Sequence, residues 1–438
     1  MSNESRPGLV RGIGRWSLVA LVLNSIIGSG IFGLPSLVAA LLGTSAPLAY
    51  LVAAAGMGVV VACFAEVASR FRGAGGPYLY ARVAFGRFAG IEIAWLTWLA
   101  RLTAAAGNAN LFAIYLAEFW PRANSSGPRL VILALLVGLL AVVNYRGVRA
   151  GAHLIDFFAV AKLLPLVAFI GTGLFFVRSS NFLTHAPAAA SSWLEALLLL
   201  VFAFGGFEGA VIPMSEAKDP RRDAPFALFT ALATTTVVYT LTQVVVSGVL
   251  VAPQDSDRPL AAAARQFLGP WGATLIAFGA LVSVYGLLSS MALYTPRLTF
   301  ALAEQGDFPP IFAAVHPRYR TPHVSIIFYS LFVWALAATR SFRWNVTLSA
   351  VARLLTYAST SAALLVLRKQ QPAEAAWRLP AGGLFALAGI AFSVALLSRM
   401  ARSELAIVVV TILVAFVNWL WARSRAGIAS GSGEHDEA

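Results

Sequence analysis

The chain is poor in charge. Only 12% of its 438 residues are Asp, Glu, Lys or Arg, against about 25% in ordinary soluble domains. Cys63 is the single cysteine, so no internal disulfide can form. The five histidines, His153, His185, His316, His323 and His435, show no metal-ligand spacing. No polar stretch is long enough for a soluble domain. No short apolar core with a small-residue cleavage site precedes the first long apolar run, so no cleaved leader is expected. The period-2 alternation of membrane barrel strands is also missing. The Gly12 and Gly14 pair follows no strand, which excludes a nucleotide fold on that motif. Intramembrane serine hydrolysis needs Gly-x-Ser-Gly and a histidine on another span. Ile27 stands at the first position of that motif, and the histidines fall in or near loops. The chain is therefore not expected to be an enzyme, to use a metal or cofactor, or to bind nucleic acid.

What is present is apolar sequence, 59% of the chain. A helical span needs roughly 20 apolar residues. Twelve tracts qualify, near 18–42, 46–69, 88–118, 128–145, 154–177, 193–215, 224–251, 271–301, 323–339, 345–367, 381–398 and 404–422. The expectation is an all-α membrane protein with 12 transmembrane helices. The net charge of +13 then follows the positive-inside rule. The side with both termini carries 20 Lys and Arg, the opposite loops 9, and Arg101, Lys162 and Arg353 fall inside spans. Both termini are placed in the cytoplasm, with a cytoplasmic N-terminus at 1–17 and a disordered tail at 424–438.

Two spans carry their own breakers. Asn24 to Pro35, "NSIIGSGIFGLP", has Gly28, Gly30, Gly33 and Pro35 in one apolar run. Span six reads "VFAFGGFEGAVIP", with Gly205, Gly206, Gly209 and Glu208 together. In hydrocarbon, freed backbone groups are tolerated only where protein covers them or a cavity is lined. One such cluster reads equally well as close helix packing. Two at corresponding positions of two halves point to an inverted-repeat transporter, with repeats at 18–178 and 192–368 and two further helices at 380–423. A break exposes N–H groups at one new helix end and C=O groups at the other. The first suits a carboxylate and the second an ammonium group, and an α-amino acid carries both on one carbon.

Four motifs, in order, resemble those of amino acid–polyamine–organocation transporters: "IIGSGIFGLPS", "AEVASRFRGAGGPYLYARVAFGRFAG", "FGGFEGAVIPMSEAKDPRRDAP" and "RLTFALAEQGDFPPIFAAVHPRYRTP". The resemblance covers spans one to ten closely and the last two by hydropathy. It implies the five-plus-five inverted repeat of the sodium-coupled leucine transporter, with helices 1 and 6 broken, and a multi-pass protein of the bacterial inner membrane. It implies a secondary transporter for amino acids or related amines, as a monomer or homodimer among membrane lipids. Proton coupling, exchange and facilitated diffusion stay open.

The resemblance also implies roles. The substrate carboxylate meets Ile27, Gly28, Ser29 and Gly30. The ammonium meets carbonyls at Ile26 and at Phe202, Ala203 and Gly205, with Phe202 as an aromatic gate. Helix 3 contributes Ala104, Ala105 and Asn108, where small side chains and the lack of a carboxylate favour neutral amino acids. A polyamine or cationic amino acid antiporter, and a sensor that binds without transport, are the alternatives. Glu208 is read as a structural bridge rather than a proton carrier. Lys162 takes the place of a coupling cation beside Ser289 and Ser290 and braces the helix 1 break near Ile26 and Ile27, which implies sodium-independent transport. Arg101 and Arg353 either snorkel to an interface or pair with a carboxylate. Orientation is testable by cysteine labelling of intact cells: cysteines replacing Ser2 and Ser432 stay unlabelled from outside and one replacing Ser45 reacts, and a labelled N-terminus overturns the topology.

Overall fold

The computed structural model describes residues 14–71, 75–147, 152–182, 188–210, 220–371, 375 and 377–431. Among these, every regular element is helical and no strand occurs. The first apolar tract divides into α1 (Arg15–Ile26) and α2 (Ser29–Leu42), followed by α3 (Ala46–Arg70), the short α4 (Gly76–Phe85) and α5 (Arg87–Leu116). Then come α6 (Ser126–Arg146) and α7 (Ala152–Gly173). The sixth tract divides into α8 (Ala190–Phe204) and α9 (Phe207–Ala210). The rest is α10 (Pro220–Val249), α11 (Pro259–Glu304), α12 (His323–Thr339), α13 (Phe342–Gln370), α14 (Gly382–Leu397) and α15 (Arg402–Gly431). Seven helical stretches are long and apolar enough to cross a membrane, and four shorter apolar helices accompany them.

Lipid is the natural solvent of the outer surface. Val131, Leu135, Leu139 and Val142 recur at helical spacing along α6 and are all exposed. An exposed apolar stripe of this length is a membrane or partner surface. Thr, Ser and Asn side chains such as Thr103, Asn110, Thr242 and Ser361 are instead fully buried.

Of the four expected breakers in the first tract, only Gly28 sits at the break. α2 runs unbroken through Gly33 and Pro35. Gly33 is there for packing: a Cβ would lie 2.6 Å from the Phe342 ring and 2.8 Å from Leu111. The Gln243 amide donates to the Pro35 carbonyl at 3.3 Å. Other boundaries also moved. α11 begins at Pro259, ahead of its tract, and bends at Gly269, whose φ of 67° lies in the region open to glycine. α15 runs on to Gly431, and residues 432–438 of the expected tail lie outside the described residues. Residues 211–219 of the span-six motif lie outside them too.

Two buried carboxylate clusters lie away from the breaks. Glu66 on α3 is fully buried and accepts from Arg70 at 2.8 Å, from Arg368 of α13 at 2.9 and 2.5 Å, and from the Leu379 N–H at 2.9 Å. Asp307 owes its position to the end of α11. Gly306, at φ 72°, closes the helix with Gly306 N–H donating to Ala303 O and Asp307 N–H to Leu302 O, the Schellman pattern. The carboxylate then accepts from Arg82 at 2.6 Å, from Arg87 at 2.7 Å and from the Tyr78 hydroxyl. Burial and then the Asp307 charge push Tyr78 up to about 12, which keeps it a donor. Asn418 of α15 donates to the Asp307 carbonyl at 2.6 Å. Asp307→Ala removes the acceptor of two partly exposed arginines and of the Tyr78 hydroxyl and is expected to destabilise the fold by about 1–3 kcal/mol, seen as a lowered melting temperature of the purified protein. An unchanged melting temperature would show that the cluster carries no stability.

Candidate functional site

The two breaks face one another. α2 packs along α8, and α1 along α9 and α10. In the first break Ile27 leaves the helix at ψ 103° and Gly28 adopts φ −143°, ψ −138°. In the second, Gly205 is extended at ψ 167° and Gly206 has φ 112°. Gly206 is required twice over. A side chain rarely adopts that φ, and a Cβ would lie 2.2 Å from the Ser25 carbonyl oxygen. Gly30 is required by approach: its Cβ would lie 2.9 Å from the Ala203 Cα. A Cβ on Gly28 would crowd the flexible end of Leu287 at 2.3 Å and touch Asn108 Oδ1 at 3.5 Å.

Between the breaks lies a cavity of about 30 Å³, room for one or two waters. Of the expected residues, Ile26, Gly28, Ser29, Gly30, Ala104, Asn108, Phe202 and Gly205 line it. Ile27, Ala203 and Ala105 do not. Ile27 turns its carbonyl to Lys162, Ala203 packs behind Gly30, and Ala105 is buried one position past the lining Ala104. Ser25, Gly206, Leu287, Met291, Tyr294 and Arg353 complete the wall without having been expected there. Gly206 and Arg353 had signals, a glycine pair and an intramembrane charge. Leu287, Met291 and Tyr294 are ordinary residues of a long apolar helix and had none.

Several freed backbone groups near the cavity have partners from other helices. The Ser29 N–H, at the start of α2, donates to Asn108 Oδ1 at 3.2 Å, and Asn108 Nδ2 donates to the Ala104 carbonyl at 2.7 Å. This holds the amide with its oxygen toward α2. Lys162 Nζ donates to the Asn24 carbonyl at 3.1 Å and the Ile27 carbonyl at 2.9 Å. The brace was expected at Ile26 and Ile27; it reaches Asn24 instead, and Ile26 is served by another residue. The Tyr239 hydroxyl of α10 lies 3.3 Å from both the Ile26 and Ala203 carbonyls and so ties the two breaks together. No feature of the sequence singled out Tyr239. Neither Ser289 nor Ser290 hydrogen-bonds to the ammonium; Ser290 donates to Gly286 O at 3.0 Å within its own helix.

Glu208 closes the second break. It accepts from the Gly206 N–H at 2.8 Å, from the Tyr357 hydroxyl at 3.0 Å and from Arg353. Arg353 thus pairs rather than snorkels. Arg101 is 4% exposed, so it does not snorkel, and among the described residues it meets no carboxylate; its guanidinium sits 4.9 Å over the Tyr294 ring. No group of three or more metal-ligating side chains occurs among the described residues.

The Ser29 hydroxyl is buried, lines the cavity and has no hydrogen-bond partner. It is an open donor beside the start of a helix, where an anion is favoured. Because Gly206 has no tolerance for a Cβ, Gly206→Ala is expected to remove stabilisation by added amino acids in a thermal-shift assay, and Gly30→Val the same. Gly28→Ala is expected to keep most of it. A normal ligand response in both Gly206→Ala and Gly30→Val would remove the breaks from the binding site.

The amino acid permease family model matches residues 13–417. An uncharacterised transporter of Mycobacterium tuberculosis is 32% identical over 368 residues, 82% of this chain and 81% of that one. The methylthioribose transporter of Bacillus subtilis is 25% identical across 87% of this chain and 86% of its own. The branched-chain amino acid permease of the same organism is 25% identical across 85% and 84%. The chain is a multi-pass integral membrane transporter rather than an enzyme, and it belongs to the amino acid permease family of the amino acid–polyamine–organocation superfamily.

Proposed function

We propose that the chain carries amino acids across the bacterial inner membrane by alternating access, with twelve crossings, a five-plus-five inverted repeat and both termini in the cytoplasm. The observation that carries the reading is the cavity itself. One wall offers the N-terminal amides of α2 with the unpartnered Ser29 hydroxyl, and the other offers the carbonyl end of α8 at Phe202. A carboxylate and an ammonium on one carbon satisfy both. Carbonyl oxygens have two lone pairs, so Ile26 can accept from Tyr239 and from a ligand together. Phe202 lines the same space and serves as the aromatic cover.

The substrate's side chain points to Ala104, Leu287 and Met291, an apolar stretch of wall. Glu208, the acidic group next to the cavity, is already held by three donors. Among the described residues no carboxylate is left there to meet a cationic side chain, which argues against arginine and polyamines. Lys162 occupies the carbonyls of Asn24 and Ile27, and one positive charge there excludes a second at such short range. Transport is therefore sodium-independent, coupled to protons or run as exchange. Uptake into liposomes holding the purified protein is expected to be unchanged when choline replaces sodium. Lys162→Ala is expected to lower flux at least tenfold while the protein stays folded and monodisperse. A sodium requirement in the parent, or full flux in Lys162→Ala, would overturn the assignment, and binding without counterflow would make the protein a sensor.

A further inference from the structure

Around the cavity the described buried charges do not balance. Lys162, Arg101 and Arg353 are cations at 1%, 4% and 6% exposure, and Glu208 is the one anion, at 5%. Arg353 and Glu208 neutralise one another. Lys162 is held by two carbonyl dipoles. Arg101 is left. Its Nη1 is buried with no hydrogen-bond partner, and no ion pair to it occurs among the described residues. Among the described residues its guanidinium sits over the Tyr294 ring, and a cation–π contact returns only a fraction of the hydration an arginine gives up on burial. Intramembrane charges of this kind are rare and mark substrate or ion paths.

The position matters as much as the charge. Tyr294 lines the cavity, so Arg101 lies directly behind its wall. Nη2 lies 3.6 Å from where a Gly209 Cβ would be, next to Glu208 in α9. Arg101 is one helical turn before Ala104 and Ala105 on α5. Arg353, on the opposite helix α13, lines the same region. An amino acid bound through its α-carboxylate and α-ammonium is neutral and leaves the positive excess among the described residues in place. A side chain ending in a carboxylate removes it: its methylene groups lie along Ala104, Leu287 and Met291, and its end meets the arginines.

We infer that the favoured substrate is an amino acid with an anionic side chain, and that Arg101 is its counter-ion. This rests on the amino acid carrier reading and narrows it. A guanidinium matches a carboxylate bidentately, which a lysine ammonium cannot, so the site also has geometric preference. Tyr294 stands between the cavity and Arg101, so direct contact requires its ring to move aside.

The test is counterflow and thermal stabilisation with the full-length protein in liposomes and detergent, using L-glutamate, L-aspartate, L-glutamine, L-leucine, L-arginine and putrescine. Glutamate or aspartate is expected to be preferred over glutamine at least tenfold, with arginine and putrescine inactive. Arg101→Gln is expected to bring glutamate and glutamine to near parity, and Arg101→Lys to keep the preference for the acid at reduced affinity. Exchange of leucine, glutamine or arginine without the acids would overturn this inference and leave the carrier reading standing. No response to any of the six would overturn the carrier reading and this inference with it. An undiminished acid preference in Arg101→Gln would remove Arg101 as the counter-ion. If Arg101→Gln fails to fold, the parent's substrate panel and Arg101→Lys decide.

Discussion

Two helices are broken deep inside an apolar bundle, and the backbone groups freed there must find partners in the protein or in the small cavity they line. Everything around the cavity follows from that constraint. An unsatisfied buried donor or acceptor costs about 1–3 kcal/mol, and the two breaks together free several. The chain meets the demand with single side chains sent from other helices: Asn108 from α5 to the Ser29 N–H, Lys162 from α7 to Asn24 and Ile27, and Tyr239 from α10 to Ile26 and Ala203. Glu208 covers Gly206 from within its own short helix and is held by α13. What these partners leave open, chiefly the Ser29 hydroxyl, is what remains for a ligand.

The same constraint explains why glycine is placed so unevenly. Gly206 needs both its φ of 112° and the absence of a Cβ against Ser25. Gly30 and Gly33 are helical and serve only to bring backbone and ring surfaces close, against Ala203 and Phe342. Pro35, the residue that most disfavours a helix, sits inside one. Gln243 reaches its own carbonyl, that of Pro35, and neighbouring helices supply the surroundings that make a proline tolerable in such a segment.

Composition and glycine spacing made the helical class and both broken tracts legible, because a break in an apolar run contradicts the local rule for a span and has to be compensated elsewhere. Lys162 and Glu208 were legible for a related reason: a charge in an apolar tract demands a partner. Their partners were not. Arg353 is 145 residues from Glu208 in sequence, and Tyr239 is one of 11 tyrosines. Helix rotation decides which alanine of a run faces inward, so Ala104 lines the cavity and Ala105 does not. Leu287 and Met291 lie one turn apart on α11, and an apolar helix buried among others has no polar face to reveal its inner side.

Strength is distributed against the centre. Glu66 and Asp307, each fully buried, collect several charge-assisted bonds apiece and join α3 to α13, and α4 to the end of α11. Hydrogen bonds to charged groups contribute about 1.5–3 kcal/mol each, and those between neutral groups about half as much. At the cavity, Asn108 and Tyr239 offer neutral bonds, the latter at 3.3 Å to each carbonyl. Rearrangements that exchange a few such bonds for bonds to a ligand are inexpensive, whereas separating the carboxylate clusters is not. A carrier that alternates between two states needs motion where the ligand binds and rigidity in what the ligand moves against. The breaks combine both kinds of contact: the ionic groups Lys162 and Glu208 anchor α1 and α9, and the neutral bonds of Asn108 and Tyr239 are the ones a ligand can replace at least cost, which suits the proposed carrier cycle.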